Sequence, residues 1–346
     1  MNNEILLPEN APVRLTSAQL EELDYRKLYR VYSAKGRKSK VDPRVLFKVM
    51  AYGYQCGIYS SRKLEEACRY RVDFMWLLEE EPVPDHTTLA RFRTGRCAEA
   101  VEDLFYQYVA RLEQQGETDH GTVFVDGTKL ESRAGRYTFC WRKSVEKHLK
   151  TVRQKVVDMT GRKSLLGLKA YLEELEAGSS FVHGSGCRKS ETQKLDELRC
   201  RWEEYEKSLE IMGPSRNSYS KTDPDATFMR MKEDHMRNGQ LKPAYNVQIA
   251  VNSEYITEIE TFSDRADLGT LVPFLEELKR QHKGKYAEVT ADAGYESLEN
   301  YLYLEKNGQM SFIKPSNYEV RKTKRFKEQV GRIENMTYDE QWDAFI

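Results

Sequence analysis

Two aspartates stand at the ends of short apolar runs. Asp126 closes Gly-Thr-Val-Phe-Val-Asp, and Asp292 closes Ala-Glu-Val-Thr-Ala-Asp. Runs of this length read as buried strands, and the Gly127 or Ala293-Gly294 that follows reads as a turn. In an open α/β sheet, ligands bind at the strand ends. A carboxylate there faces solvent on a rigid support. Two of them on neighbouring strands can hold Mg²⁺, which takes hard oxygen ligands. Carboxylate-held metals in turn serve phosphodiester chemistry. Taken singly, each aspartate also has a plainer reading: a turn at Asp126-Gly127 and a helix cap at Asp292.

Basic charge gathers beside the first aspartate. The chain balances 55 basic against 55 acidic residues, so the total says nothing about nucleic acid and only clustering can. Between Arg133 and Lys169 lie eleven basic residues and two acidic ones, Glu146 and Asp158. Arg133, Arg136, Arg142, Lys143, Lys147 and Lys150 follow the first strand and are candidates to line a DNA channel, because each phosphate contact releases counterions. A charge run is equally compatible with a solvated helix face. Arg62, Lys63, Arg69 and Arg71, with Arg91 and Arg93, form a second basic set in the N-terminal half. His235 and Lys242 precede a later strand and could reach phosphate. On that strand Tyr245 reads as core, and Asn246 and Gln248 as substrate contacts. Asp223 and Asp225 sit in Thr-Asp-Pro-Asp-Ala, where an Asx-Pro turn is favoured for Asp223. The remaining histidines have no partner at metal-ligand spacing.

The elements that position these residues fall into two halves. Residues 1–115 read as helical. Thr16 with Gln19 is a possible capping box. Asp42-Pro43, Ser60-Ser61 and Pro84-Asp85 are helix starts, and Val101, Leu104, Phe105, Tyr108 and Leu112 form an amphipathic stripe. From Gly121 the pattern turns to strands: 121–126, then Tyr245–Val251, Ile256–Phe262, Ala287–Ala291 and Ser311–Ile313, with helices over Leu271–Leu278 and Leu298–Leu304. Strands and helices in that order predict an α/β sheet. Between the first strand and the others, Val145, Leu149, Val152 and Val156 repeat at heptad spacing, as do Leu195, Leu198, Trp202, Tyr205 and Leu209. An antiparallel helical hairpin, inserted at about 140–212 and turning through the Gly- and Ser-rich 178–189, is the simplest picture. Ordinary packing of these helices against the body is the alternative. The expected division is a helical domain over 1–118 and a sheet domain over 119–346.

Composition excludes other classes. Aromatic residues at 11% are enough to build cores, although charged residues reach 32%. No apolar run approaches membrane-spanning length, and the N-terminus carries no secretory signal. Six cysteines without a Cys-x-x-Cys pair read as reduced thiols of a cytoplasmic protein, nucleoid-associated when bound to DNA.

Together these segments resemble the DDE transposases of bacterial insertion sequences. The resemblance rests on residues 41–78 and 84–93, similar to the InsH-type N-terminal domain. It rests further on FVDGTKLES (124–132), TDPDATFMRMKEDHMRNGQLKPAYNVQIAV (222–251) and VTADAGYES (289–297). It implies an RNase H-like catalytic domain with a mixed sheet and a helical insertion after the first strand. It implies Asp126 and Asp292 as the first two catalytic carboxylates, holding Mg²⁺ or Mn²⁺. It also implies double-stranded DNA as partner, both terminal inverted repeats and target, with a homodimer in synapsis. The family's third carboxylate is a glutamate on a helix beyond the last core strand. Here Glu319, Glu328, Glu334, Asp339, Glu340 and Asp343 follow Ile313, none in the family's Tyr-x-x-Arg-x-x-x-Glu setting. The chain is therefore expected to be C-terminally truncated relative to the family. Two alternatives to cleavage and strand transfer follow: a non-catalytic DNA-binding inhibitor of transposition, and a metal-dependent nuclease on the same fold.

Overall fold

The computed structural model describes residues 7–32, 39–135, 137–178, 190–231, 239–282, 284–329 and 331–345. They divide into two compact units, Met1–Asp119 and His120–Ile346.

The first unit is all helical: α1 (Pro12–Glu21), α2 (Arg26–Arg30), α3 (Pro43–Gln55), α4 (Ser61–Tyr70), α5 (Val72–Leu77), α6 (His86–Arg91) and α7 (Val101–Gln114), with a π-turn at Phe92–Arg96. Asp42 and Asp85 cap as their types predict, accepting from the backbone N–H of Arg44 and Thr88. The Thr16 capping box does not form. Pro12 at the first helical position starts α1 four residues earlier, so Thr16 is interior and its hydroxyl bonds the Pro12 carbonyl at 3.1 Å. One core, with Val45, Leu46, Val49, Phe74 and Leu104 at its heart, binds these helices.

The second unit is built on a six-stranded mixed sheet, which agrees with the α/β expectation. Its strands are β1 (Thr122–Glu131), β4 (Thr227–Arg230), β5 (Leu241–Asn252), β6 (Tyr255–Phe262), β7 (Glu288–Ala291) and β8 (Met310–Ile313); β2 (Phe139–Trp141) and β3 (Ser218–Ser220) pair separately. The order runs β4-β5-β1-β7-β8, with β6 also on β5. β1 is antiparallel to β5 and parallel to β7.

Side chains alternate across a strand. Val123, Val125, Ala250, Val289, Ala291 and Ile313 therefore share one face, and α11 (Leu271–His282) and α12 (Leu298–Lys306) pack on it. The other face carries Phe124, Ile259 and Phe312, which are 54%, 45% and 49% exposed, so no described helix covers it.

The insertion between β2 and β3 has three described helices where two were expected: α8 (Arg142–Thr160), α9 (Leu165–Ala177) and α10 (Glu191–Met212). α8 and α10 run antiparallel. Val145 packs near Met212, His148 stacks on Tyr205 with centroids 6.0 Å apart, and Arg153 pairs with Glu206 at 2.9 Å. Leu149, Val152, Val156, Leu195 and Trp202 form the seam, and Leu168 and Leu172 of α9 complete it. The turn proposed over 178–189 lies, after Gly178, outside the described residues. Short helices α13 (Tyr318–Arg321) and α14 (Lys324–Lys327) and a small hairpin, β9 (Tyr338–Asp339) with β10 (Ala344–Phe345), follow the sheet.

Candidate active site

The β1–β7 ladder brings the two aspartates side by side. Its last register pair is Val125 with Ala291; Asp126 is the next residue of β1, and Asp292 the residue that follows β7. Neighbouring strands lie about 4.8 Å apart, so these backbones are adjacent. Both side chains are exposed. Asp126 does not end its strand as expected: β1 runs on to Glu131, pairing Asp126 with Ile249 and Gly127 with Gln248 of β5, so no turn forms there. Asp126 Oδ1 accepts from the Gly127 N–H at 2.8 Å, and Asp292 Oδ1, capping the 3₁₀ turn after β7, accepts from the Gly294 N–H at 2.8 Å. The cap reading thus holds for Asp292 and uses one of its oxygens, while the turn reading fails for Asp126, which lies within β1.

A third carboxylate joins them. Asp267 opens a short 3₁₀ turn, Asp267–Gly269, between β6 and α11. Its Oδ1 accepts from Asn246 Nδ2 at 2.9 Å and from Gln248 Nε2 at 3.1 Å. A Cβ on Gly127 would lie 2.6 Å from Gln248 Nε2 and 2.8 Å from Asp267 Oδ1; one on Gly294 would lie 3.0 Å from Asp292 Oδ1 and 3.4 Å from Asp267 Oδ2. Gly127 and Gly294, one residue after Asp126 and two after Asp292, therefore make room for Asp267. Tyr295 donates to Gln248 Oε1. Asn300 Nδ2 ties the Asp267 turn to the Asp292 turn through Leu268 O (3.0 Å) and Tyr295 O (2.7 Å). Burial first, then the charges of Asp267, Asp126 and Asp292, push the Tyr295 phenol above its ordinary pKa. One hydroxyl feels all three carboxylates.

Asn246 and Gln248 differ from their expected role. Both are fully buried, because the β5 register turns them to the core face, and their amides hold Asp267 rather than a substrate. Tyr245, read as core, has the opposite parity. It is half-buried and donates to Asp223 Oδ2 at 2.6 Å. Asp223 also accepts from the Ser132 hydroxyl, so its turn is pinned to the end of β1.

The basic residues separate by what they already hold. Lys143, Lys147 and Lys150 are exposed on α8 and make no ion pair among the described residues; Arg133 is exposed on the loop after β1. Arg142 ties the insertion's base together, bonding the carbonyls of Gly213 and Arg216. Lys242 pairs with Glu131 at 2.6 Å. Arg136 and His235 lie outside the described residues. In the helical unit, Arg62 and Lys63 are exposed, Arg69 and Arg71 pair with Glu65 and Asp73, and Arg93 bonds the Tyr59 carbonyl at 3.0 Å. Arg91 lines a cleft of about 640 Å³ with Lys40, Arg96 and Thr88.

Comparison with known families decides the lineage. The family described as Transposase domain (DUF772) matches residues 2–95, and Transposase DDE domain matches residues 216–345. The chain belongs to the DDE transposases of insertion sequences. The second match takes in β5, β7, Asp267 and Asp292, but not β1 with Asp126. No curated protein and no solved structure gives a match. As a DDE transposase the protein is a DNA transposase, and its family implies DNA binding and dependence on a divalent metal. Among the described residues, no helix is long and apolar enough to cross a membrane.

The donor chemistry of Asp126 and Asp292 fits such a metal. Mg²⁺ keeps several waters and is commonly bound by one or two carboxylates plus substrate phosphates. Two exposed aspartates, Asp126 within β1 and Asp292 just after the adjacent β7, supply that pair of hard oxygen donors. Among the described residues no three His, Cys, Asp or Glu side chains are grouped as a ready-made metal cage. The remaining ligands of a bound ion would be water and DNA phosphate.

Proposed function

We propose that this transposase cleaves and joins DNA at its element's ends with Asp126 and Asp292 holding Mg²⁺. The observation that carries the reading is the β1–β7 register, which sets Asp126, within β1 where the pairing with β7 stops, beside Asp292 just past the end of β7. When bound, the metal supplies charge neutralisation at the scissile phosphate and lowers the pKa of water.

The chain's own residues do the rest. The strands hold Asp126 and Asp292 before DNA arrives, so little reorganisation is needed at the moment of reaction. Gly127 and Gly294 fix one oxygen of each aspartate through backbone N–H groups. Asp267, fixed by Asn246 and Gln248, adds negative charge beside them and sharpens their preference for a cation. Lys143, Lys147 and Lys150, with Arg133 before them, form the exposed basic run that meets DNA phosphates in the sheet unit. Arg62, Lys63 and Arg91 do so in the helical unit. Pairing of two ends calls for a homodimer. Arg93, Arg142 and Lys242 are proposed to support the DNA-contacting surface through their structural bonds.

A nicking and joining assay tests this. Purified full-length chain is given plasmid carrying the element's terminal repeats, with Mg²⁺, Mn²⁺ or EDTA. Metal-dependent nicks at the ends, followed by their joining to target DNA, are expected. Asp126→Asn and Asp292→Asn should each reduce nicking by about a hundredfold or more. Cutting without joining would make the protein a nuclease. DNA binding without cutting would make it an inhibitor of transposition.

A further inference from the structure

A cavity of about 250 Å³ opens beside the Asp267 turn, lined by Ser215, Arg216, Asn217, Ser263, Asp264 and Arg265 among others. Two features set it apart from an ordinary surface hollow. First, it holds two arginines, and neither makes an ion pair among the described residues. Arg216 is half-buried. Its Nη2 donates to the carbonyls of Pro224 (2.8 Å) and Ala226 (3.0 Å) and its Nε to Thr227 Oγ1 (3.2 Å). Nη1 has no partner among the described residues. Burial pushes the Arg216 pKa below its ordinary value, against the pull of Asp225, Tyr245 and Asp223. A desolvated cation is costly unless an anion meets it.

Second, both guanidinium groups are held in place. Arg216 is braced by those three bonds. Arg265 lies over the Trp141 ring, 5.5 Å from its centroid, and donates weakly to Ser218 Oγ at 3.4 Å. The volume is below the roughly 300–1,000 Å³ of pockets that enclose a whole cofactor, and it suits a single anionic group. Asp264 is the acidic residue on the wall, and no arginine is within ion-pair distance of it among the described residues. Two residues beyond Arg265 the chain reaches Asp267, whose carboxylate adjoins the glycines after Asp126 and Asp292.

We propose that this cavity is a phosphate-binding subsite, in which Arg216 and Arg265 grip one phosphodiester of bound DNA and so set the strand's path next to Asp126 and Asp292. This rests on the transposase reading and deepens it. Planar guanidinium groups match phosphate in a fork geometry. Ser215, Asn217 and Ser263 add neutral donors around the same space.

The test is the salt dependence of binding between the full chain and a random-sequence DNA duplex, followed by fluorescence anisotropy. Each lost phosphate contact lowers the slope of log affinity against log salt by about one. Because the two arginines share one phosphate, Arg216→Gln and Arg265→Gln combined should lower the slope by about one and each alone by a part of that, and Arg216→Lys should retain it. Arg265→Gln decides the matter if Arg216→Gln fails to fold, because among the described residues Arg265 makes one weak hydrogen bond besides its contact with the Trp141 ring. An unchanged slope with folded Arg265→Gln protein would overturn the subsite and leave DNA binding standing. Wild-type protein that binds no duplex at any salt would overturn the subsite together with the transposase reading.

Discussion

The Asp267 carboxylate occupies the space that a side chain on Gly127 would need: a Cβ there would lie 2.8 Å from Asp267 Oδ1. The two residues are far apart in sequence, yet the β1–β5 register and the Asn246 and Gln248 amides press one against the other. The glycine after Asp126 is thus a packing requirement of the site. Gly127→Ala should displace Asp267 and Gln248, costing about 1–3 kcal/mol of stability as an overpacked site. Chemical denaturation would show the loss, and metal-dependent nicking should fall with it. An alanine variant as stable and active as wild type would mean that the carboxylate does not depend on this space.

Asp267→Asn separates charge from shape. Asparagine retains an oxygen to accept from Asn246 and Gln248, so the melting midpoint should hold within a few degrees. The negative charge beside Asp126 and Asp292 is lost, and nicking should drop roughly 10–100-fold, as for groups that support metal ligands. Nicking rates at saturating and limiting Mg²⁺ would show whether the loss lies in metal affinity.

The exposed α8 lysines can be removed together. Lys143→Gln, Lys147→Gln and Lys150→Gln combined should leave thermal stability near wild type, since none makes an ion pair among the described residues. If all three meet phosphate, the salt slope of DNA binding falls by about three. An unchanged slope would assign them to a solvated helix face.

Acid should loosen the helical unit through Glu65. His86, through its ring and its backbone N–H, and then Arg69 hold the Glu65 carboxyl down at about 2, against an ordinary 4.5. A carboxylate depressed on folding stabilises fully above its unfolded pKa, and that contribution fades as pH falls towards the folded value. The melting midpoint should therefore decline from about pH 5 downward, and Glu65→Gln should flatten the decline. An identical pH profile for the variant would remove Glu65 from the account.

Much of this was legible in the sequence because the signals are local. Val123–Val125 and Val289–Ala291 are short apolar runs closed by aspartate, and the two runs became adjacent parallel strands. Asp42 and Asp85 cap helices by their own chemistry. Parity failed at Tyr245, Asn246 and Gln248, since polar residues on a strand suggest the exposed face and only the register with β1 shows otherwise. Asp267 could not be told from Asp264 in Ser-Asp-Arg-Ala-Asp; its place depends on contacts with β5 and on two distant glycines. The α9 helix did leave a local signal, Ser164 as cap before Leu165, Leu168, Leu172 and Leu175.

The central claim is that Asp126 and Asp292 form one divalent-metal centre. Iron-directed cleavage tests it most directly: Fe²⁺ takes the Mg²⁺ position, and hydroxyl radicals made there with ascorbate and peroxide cut the nearby backbone. The account predicts cuts clustered at Asp126, Asp292 and the Asp267 turn, competed away by Mg²⁺ and lost in Asp126→Asn. Cuts elsewhere, or the same pattern in the variant, would contradict it.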